Sequence, residues 1–236
     1  MTALEQVLVI IPARGGSKRI PGKNIKKING KSMITWPLIE LKKSICKKNI
    51  LVSTDDIKIV QEVKKLDIEV PFMRPKKISG DKSTTLDVAK HALSWYEKKN
   101  DRIKYVLIVY PTSVFFKNSN LVDAYKHMKK NKNCSVLFSA AKYTHPIQRS
   151  FSIKKKKLKM LYTKSLSHRT QDLETFFHDV GQFYFCRSEI IRSGKKIINE
   201  SAEFILFPKY QCIDIDDLDD FKLAEILLKK NKLRNK

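Results

Sequence analysis

Apolar and polar positions change their period repeatedly along this chain. Val7 to Ile11 is an unbroken apolar run and predicts a strand buried on both faces. Met33, Ile34, Leu38, Leu41 and Ile45 recur at helical spacing and predict a helix over 33–45. Ile50 to Ser53 reads as a second strand. Residues 57–65 read as a helix with Ile57, Val60 and Val63 inward, and Ile68 to Val70 as a short strand. The pattern then gives a helix over 84–98, a strand at 105–109, a helix at 118–130 and a strand at 135–140. Strands that alternate with helices imply right-handed crossovers, so the expected fold is α/β, with a doubly wound, mainly parallel sheet.

The alternation stops between Tyr143 and about Asp179. There, 151–153 and 158–162 flank the run Lys154-Lys155-Lys156-Lys157, which reads as an exposed hairpin tip where like charges stay solvated and discourage edge pairing. The stretch 143–179 is therefore expected to be an insertion in one domain spanning 1–236. Gly181 to Cys186 reads as a return to the central sheet. The chain then presents Ile213-Asp214-Ile215-Asp216 and an amphipathic helix through Leu228.

Lys and Arg number 48 against 24 Asp and Glu, a formal charge of +24 that raises the question of a nucleic-acid partner. The basic residues are mostly lysine and are spread through every segment, and no helix-turn-helix, zinc-finger or RNP-like pattern accompanies them. Nucleic acid is not the expected partner, although a basic polyanion-binding module stands as the alternative of another class. No apolar run approaches the ~20 residues that cross a bilayer, and no signal peptide is expected, so the location expected is cytoplasmic. Cys46, Cys134, Cys186 and Cys212 are scattered without a CxxC pair, as reduced thiols are.

In doubly wound sheets ligands bind beyond the carboxyl ends of the strands. The first such loop, from Pro12 to Asn24, combines Gly15-Gly16 with the cations Arg14, Lys18, Arg19 and Lys23. Glycines let backbone N–H groups approach a ligand and the cations answer a polyanion, so a triphosphate pocket is expected. It is not a Walker A loop: Gly16 and Gly22 enclose five residues and Asn24 follows Lys23. Near the other end, Asp214 and Asp216 alternate with two isoleucines. In a strand both carboxylates would meet at the rim, where close like charges favour a cation between them, and Mg²⁺ prefers such hard oxygens. The competing role for Asp216, or for Asp217, is capping the last helix. The segments Ser53-Thr54-Asp55, Arg74-Pro75, Ser79 to Thr85 and Tyr110-Pro111-Thr112-Ser113 should lie on the same rim.

The run Pro12-Ala13-Arg14-Gly15-Gly16-Ser17-Lys18, a short spacer and Gly22-Lys23-Asn24 resembles without a gap the signature of nucleotide-sugar cytidylyltransferases, in particular the CMP-sialic acid synthetase (acylneuraminate cytidylyltransferase) family. The resemblance extends along nearly the whole chain. It implies a nucleotide-diphospho-sugar transferase-like fold and transfer of CMP from CTP to a nonulosonic acid with release of pyrophosphate. Lys23 and Arg14 match the family's essential lysine and triphosphate-binding arginine. Ala13, Arg14, Gly15, Gly16, Ser17, Lys18, Lys23, Asn24, Arg74 and Ser83 would bind the nucleotide, and Asp214 and Asp216 would hold Mg²⁺. The insertion resembles the family's dimerisation subdomain, which implies a homodimer.

Segments around Gln148-Arg149, His168-Arg169-Thr170-Gln171 and His178-Asp179-Val180-Gly181-Gln182 are similar to those of the pseudaminic acid branch. Gln148, Arg149, Arg169, Gln171, His178 and Gln182 are the expected sugar contacts, an arginine suiting the sugar's carboxylate. Packing is the other role open to His145, His168 and His178. One departure stands out: Tyr110-Pro111-Thr112-Ser113-Val114 replaces the Gln-Pro-Thr-Ser-Pro common among sialic acid synthetases. N-acetylneuraminate or legionaminate as substrate, and a catalytically dead relative, are the remaining alternatives.

Overall fold

Val7, Val9 and Ile11 face one side of the first strand, β1 (Val7–Pro12), and Leu8 and Ile10 face the other; all five are fully buried. A strand covered on both faces needs helices on both sides of its sheet. The computed structural model describes residues 4–234. A small hairpin, β2 (Lys27–Ile28) and β3 (Lys31–Ser32), leads into α1 (Thr35–Leu41). Then follow β4 (Ile50–Ser53), α2 (Ile57–Lys64), α3 (Thr85–Glu97), β5 (Tyr105–Val109), α4 (Asn118–Lys130) and β6 (Val136–Lys142). The hairpin β7 (Phe151–Lys154) and β8 (Lys157–Met160) precedes β9 (Phe177–Arg187), α5 (Ser188–Ser193), β10 (Ala202–Leu206) and α6 (Leu218–Arg234).

Six strands form the main sheet in the order β10-β6-β9-β5-β1-β4. Five run parallel, and β9 is wedged antiparallel between β5 and β6. Leu38 and Leu41 of α1, Val63 of α2 and Leu121 and Met128 of α4 cover one face. Ala89, Ala92 and Leu93 of α3 with Ile191 of α5 cover the other. A third cluster lies apart from the sheet. In it Ile20 from the loop after β1 packs with Phe115, Ile213, Ile215, Phe221 and Leu228. Ile20 and Ile215 are essentially inaccessible, and burying each is worth about 1.5–3 kcal/mol. That packing joins the first loop of the chain to its last helix.

Three expected elements differ. The helix expected over 33–45 is α1 alone, because Met33 and Ile34 are buried ahead of its first turn and Ile45 beyond its last. Ile68 to Val70 forms no strand. Ile68 alone of the three is buried, and the parallel bridge beside β4 falls instead at Thr54–Met73. Ile213 to Asp216 forms no paired strand. Its alternation still buries both isoleucines, because facing depends on the side-chain period and not on a hydrogen-bonded neighbour. Among the described residues no helix is long and apolar enough to cross a membrane.

Candidate active site

The loop after β1 is held in shape by its own backbone and by β4. Ala13 N–H still pairs with Ser53 O at 2.9 Å, after which the chain leaves the sheet. Asn24 is buried and donates from Nδ2 to Arg14 O at 2.8 Å, tying the two ends of the loop together. Gly15 N–H donates to Asp55 Oδ1 at 2.8 Å, so Asp55 braces the loop, and this amide is engaged by protein where a phosphate contact was expected. Glycine is required at 15 because a Cβ would lie 2.7 Å from Asp56 Cβ. Gly22 turns the chain at φ 63° and leads into the short helical turn that carries Lys23.

Burial of Ile213 and Ile215 sends Asp214 and Asp216 outward on the same side. Lys23 Nζ donates to Ile215 O at 2.8 Å and lies 3.5 Å from Asp216 Oδ1. Arg19 Nη2 donates to the same carboxylate oxygen at 2.7 Å. Residues almost two hundred positions apart thus share one ion cluster. The cap of α6 is Asp217, whose Oδ1 accepts from Asp219 N at 2.9 Å and Asp220 N at 3.0 Å, which leaves the Asp216 carboxylate turned to the cations. Asp214 keeps an exposed face, yet the protein crowding its carboxylate, and then Asp216 beside it, raise its pKa above the ordinary aspartate value; Lys23 and Arg19 oppose that rise. Two crowded carboxylates with hard oxygen donors fit a small divalent cation.

Between these groups and α3 lies an open cleft of about 440 Å³, lined by Pro12, Arg14, Ser17, Lys18, Arg19, Lys23, Asn24, Arg74, Asp81, Ser83, Thr84, Thr85, Val88, Tyr110, Pro111 and Thr112. Every rim segment expected from the sequence contributes to its wall or braces it. Arg74 is buried, donates from Nε to Ser53 Oγ at 3.0 Å and also bonds Ser53 O. Burial lowers its pKa, Asp55 opposes that, and Arg14 adds to it. Thr84 begins α3 with a capping box, its Oγ1 accepting from Asp87 N at 3.1 Å while Asp87 accepts from Thr84 N at 2.9 Å. Thr85 Oγ1 and Tyr110 OH are 2.6 Å apart. The cleft wall thus combines the cations Arg14, Lys18, Arg19 and Lys23 with the hydroxyls of Ser83, Thr84, Thr85 and Tyr110 and with Arg74.

A family model described as cytidylyltransferase matches residues 8–211, from β1 through the cleft to the approach of the acidic pair. The chain belongs to the cytidylyltransferase family. It is 32% identical over 225 residues to a pseudaminic acid cytidylyltransferase of Campylobacter jejuni, covering 95% of this chain and 97% of that protein. It is 27% identical over 234 residues to a CMP-N,N'-diacetyllegionaminic acid synthase of Legionella pneumophila, covering 96% and 98%. Among solved structures, a CMP:2-keto-3-deoxy-manno-octonic acid synthetase complexed with CTP superposes with a TM-score of 0.68 at 14% identity, covering 95% of this chain and 99% of that one. The last likeness shows the fold, a six-stranded mixed sheet flanked by helices.

In this cytidylyltransferase the sugar contacts expected from the insertion are dispersed. Arg149 donates to Leu166 O at 3.1 Å and to His168 O at 2.6 Å, and so clasps the loop that follows β8. Gln148 donates from Nε2 to Glu174 O at 2.9 Å, and its Oε1 is buried without a partner. Arg169 and Gln171 are exposed, and Gln171 lines a separate hollow of about 350 Å³ beside Tyr143 and Phe176. His178 packs against Tyr143 with ring centroids 4.7 Å apart and the rings tilted by 49°. Gln182 accepts through its backbone from Ser113 Oγ at 2.8 Å, and its buried Oε1 has no partner.

Asp81 and the Thr85–Tyr110 hydroxyl pair also reach the cleft, without a motif that marks them for it. A carboxylate in a Gly-Ser loop just ahead of the Thr84-to-Asp87 capping box was the available signal for Asp81. Tyr110 stood out only as a departure from glutamine. Its hydroxyl is held neutral by burial, which raises its pKa. Among the described residues the one group of three metal-ligating side chains is His127, Cys134 and Glu203, remote in sequence from the loop and acidic pair, where His127 Nε2 and Glu203 Oε2 already pair at 2.7 Å.

Proposed function

We propose that the protein is a pseudaminic acid cytidylyltransferase, which joins CTP and pseudaminic acid into CMP-pseudaminic acid and releases pyrophosphate. The observation that carries this reading is the meeting of Lys23 with Ile215 O and the Asp216 carboxylate at the mouth of the cationic cleft, in a chain 32% identical over 95% of its length to a protein of that name. In the reaction a sugar hydroxyl oxygen forms a bond to the α-phosphorus while the bond to the pyrophosphate oxygen breaks. Charge grows on the leaving oxygens, and fixed cations stabilise it without reorganising. Arg14, Lys18 and Lys23 would hold the phosphates. Ser17 and Gly16 complete that loop, with Ala13 at its base and Asn24 closing it. Arg74 and Ser83 face the base and ribose.

Asp214 and Asp216 are the residues that would hold Mg²⁺, whose charge when bound neutralises phosphate oxygens. Gln148 and Gln182, each with a buried amide oxygen that has no partner, would bond the sugar's amides. Arg149, Arg169, Gln171 and His178 would act on the sugar from the insertion. Phe151, Ile153, Leu158 and Leu161 are more than half exposed on that arm, which fits burial against a second copy in a homodimer. The enzyme is assigned to the cytoplasm, where CTP is made. A pyrophosphate-release assay with CTP, Mg²⁺ and a panel of pseudaminic, legionaminic and N-acetylneuraminic acids tests the reading. Turnover is expected with pseudaminic acid first. Preference for legionaminic acid would move the chain to the sibling activity, and sequence-preferring RNA binding without turnover would favour the polyanion module.

A further inference from the structure

The cationic loop carries an anion of its own. Asp81, on the segment between Ile78 and Thr84, accepts from Arg14 Nη1 through Oδ1 at 2.6 Å and from Lys18 Nζ through Oδ2 at 2.6 Å. Each oxygen takes a different cation, as the oxygens of a phosphate do between an arginine and a lysine. Two other carboxylates that bond the loop behave differently. Asp55 accepts from a backbone amide and braces the loop, and Asp216 belongs to the acidic pair. Asp81 meets side chains alone, and they are two of the cations placed on the triphosphate.

The setting favours release. Asp81 is 52% exposed, Arg14 39% and Lys18 80%, and exposed ion pairs of this kind are weak. The segment that carries Asp81 is anchored at both ends, by Ser79 Oγ donating to Pro75 O at 3.0 Å and by the capping box at Thr84. Between these anchors Gly80 has open space around it, with nothing within 4 Å of an added Cβ. Ser83 N donates to Gly80 O at 3.1 Å, so residues 80–83 form one turn, and release of the cations needs only the Asp81 side chain or that turn to move.

We propose that Asp81 is an internal substitute for phosphate: it occupies the Arg14–Lys18 seat when the cleft is empty, yields it to the triphosphate, and competes for it again once pyrophosphate is formed. This rests on the reading of the cleft as the CTP site. Displacing the carboxylate costs either ligand the same free energy, so Asp81 weakens the hold on triphosphate and on pyrophosphate alike. Asp81 is in this sense a residue that sets polyanion affinity and product release, and it takes no part in bond making.

The isosteric Asp81→Asn variant tests it, with Asp81→Glu as the charge-retaining control. Titration calorimetry with pyrophosphate and then CTP, both with Mg²⁺, reads the affinities. Loss of two exposed pairs, each a factor of about 1.4 to 5, predicts pyrophosphate binding tighter by between about 2- and 30-fold in Asp81→Asn. Product inhibition by pyrophosphate should strengthen in step, the KM for CTP should fall, and kcat should not rise. Asp81→Glu should stay close to the natural protein in all four. Unchanged or weaker pyrophosphate binding in a normally folded Asp81→Asn overturns the proposal and makes Asp81 a residue that orients the cations. If the natural protein binds neither pyrophosphate nor CTP, the assignment of the cleft itself falls, and the proposal with it.

Discussion

Exchanging Lys23 for methionine removes one charge and keeps the aliphatic stem. Lys23 is 18% exposed, with Nζ 2.8 Å from Ile215 O and 3.5 Å from Asp216 Oδ1. Opposite unit charges about 4 Å apart interact by about 4 kcal/mol at an effective dielectric of about 20. Deleting one preorganised donor from a reaction centre costs about 2.7–4 kcal/mol, or about 10²–10³ in kcat. The two routes agree, so Lys23→Met should lower kcat at least about 100-fold. Stability should respond far less. The pair with a 37% exposed Asp216 is worth about 0.2–1 kcal/mol, which for a chain of this length moves Tm by at most about 2–4 °C. Pyrophosphate release at saturating CTP and sugar, beside a thermal melt, separates the two effects. Turnover within tenfold of the natural protein, at unchanged Tm, would refute the electrostatic role.

Three further outcomes are expected. Gly15→Ala sets a methyl 2.7 Å from Asp56 Cβ, and Asp56 caps α2 through Lys58 N, so overpacking should cost about 1–3 kcal/mol and weaken CTP binding; an unchanged melt would show that the loop yields freely. Asp214 has its pKa raised in the folded protein, so the folded state holds this proton to higher pH than the unfolded chain, and stability falls as pH rises from the ordinary aspartate pKa through the raised one. Asp214→Asn should then raise Tm at pH 7, leave it unchanged near pH 3 and reduce turnover; a lower Tm at pH 7 contradicts this. Ile153, 72% exposed on β7, should hold the dimer, so Ile153→Asp should sediment as a monomer, and a natural protein that already sediments as a monomer would remove the arm from that role.

The sheet was legible wherever a strand is buried on both faces, since a run such as Val7 to Ile11 tolerates no polar residue. Helix α3 was legible from its period and its capping residues. Edge strand β10 was not: it has one neighbour, exposes Phe204 and Leu206, and carries Glu203 for a pairing with His127. The antiparallel insertion of β9 depends on long-range pairing, including a register shift between Phe138 and Ala140, that no local pattern encodes. In the cleft, glycine spacing and charge exposed Arg14 and Lys23 at once. The convergence of Lys23 with Asp216 depends on Ile20, Ile213 and Ile215 sharing a core, which a linear reading cannot supply. Arg149 has partners that no local pattern encodes. Its chemistry suits a carboxylate, but its guanidinium holds two carbonyls of the loop that follows β8.

Titration of CTP into the natural protein and into Asp214→Asn, each with and without Mg²⁺, bears most directly on the union of the first loop and the acidic pair in one nucleotide site. Mg²⁺ should tighten CTP binding in the natural protein and fail to do so in the variant, whose binding without metal should be at least as strong because one repelling charge is gone. Equal strengthening by Mg²⁺ in both proteins would place the metal elsewhere and separate the acidic pair from the nucleotide.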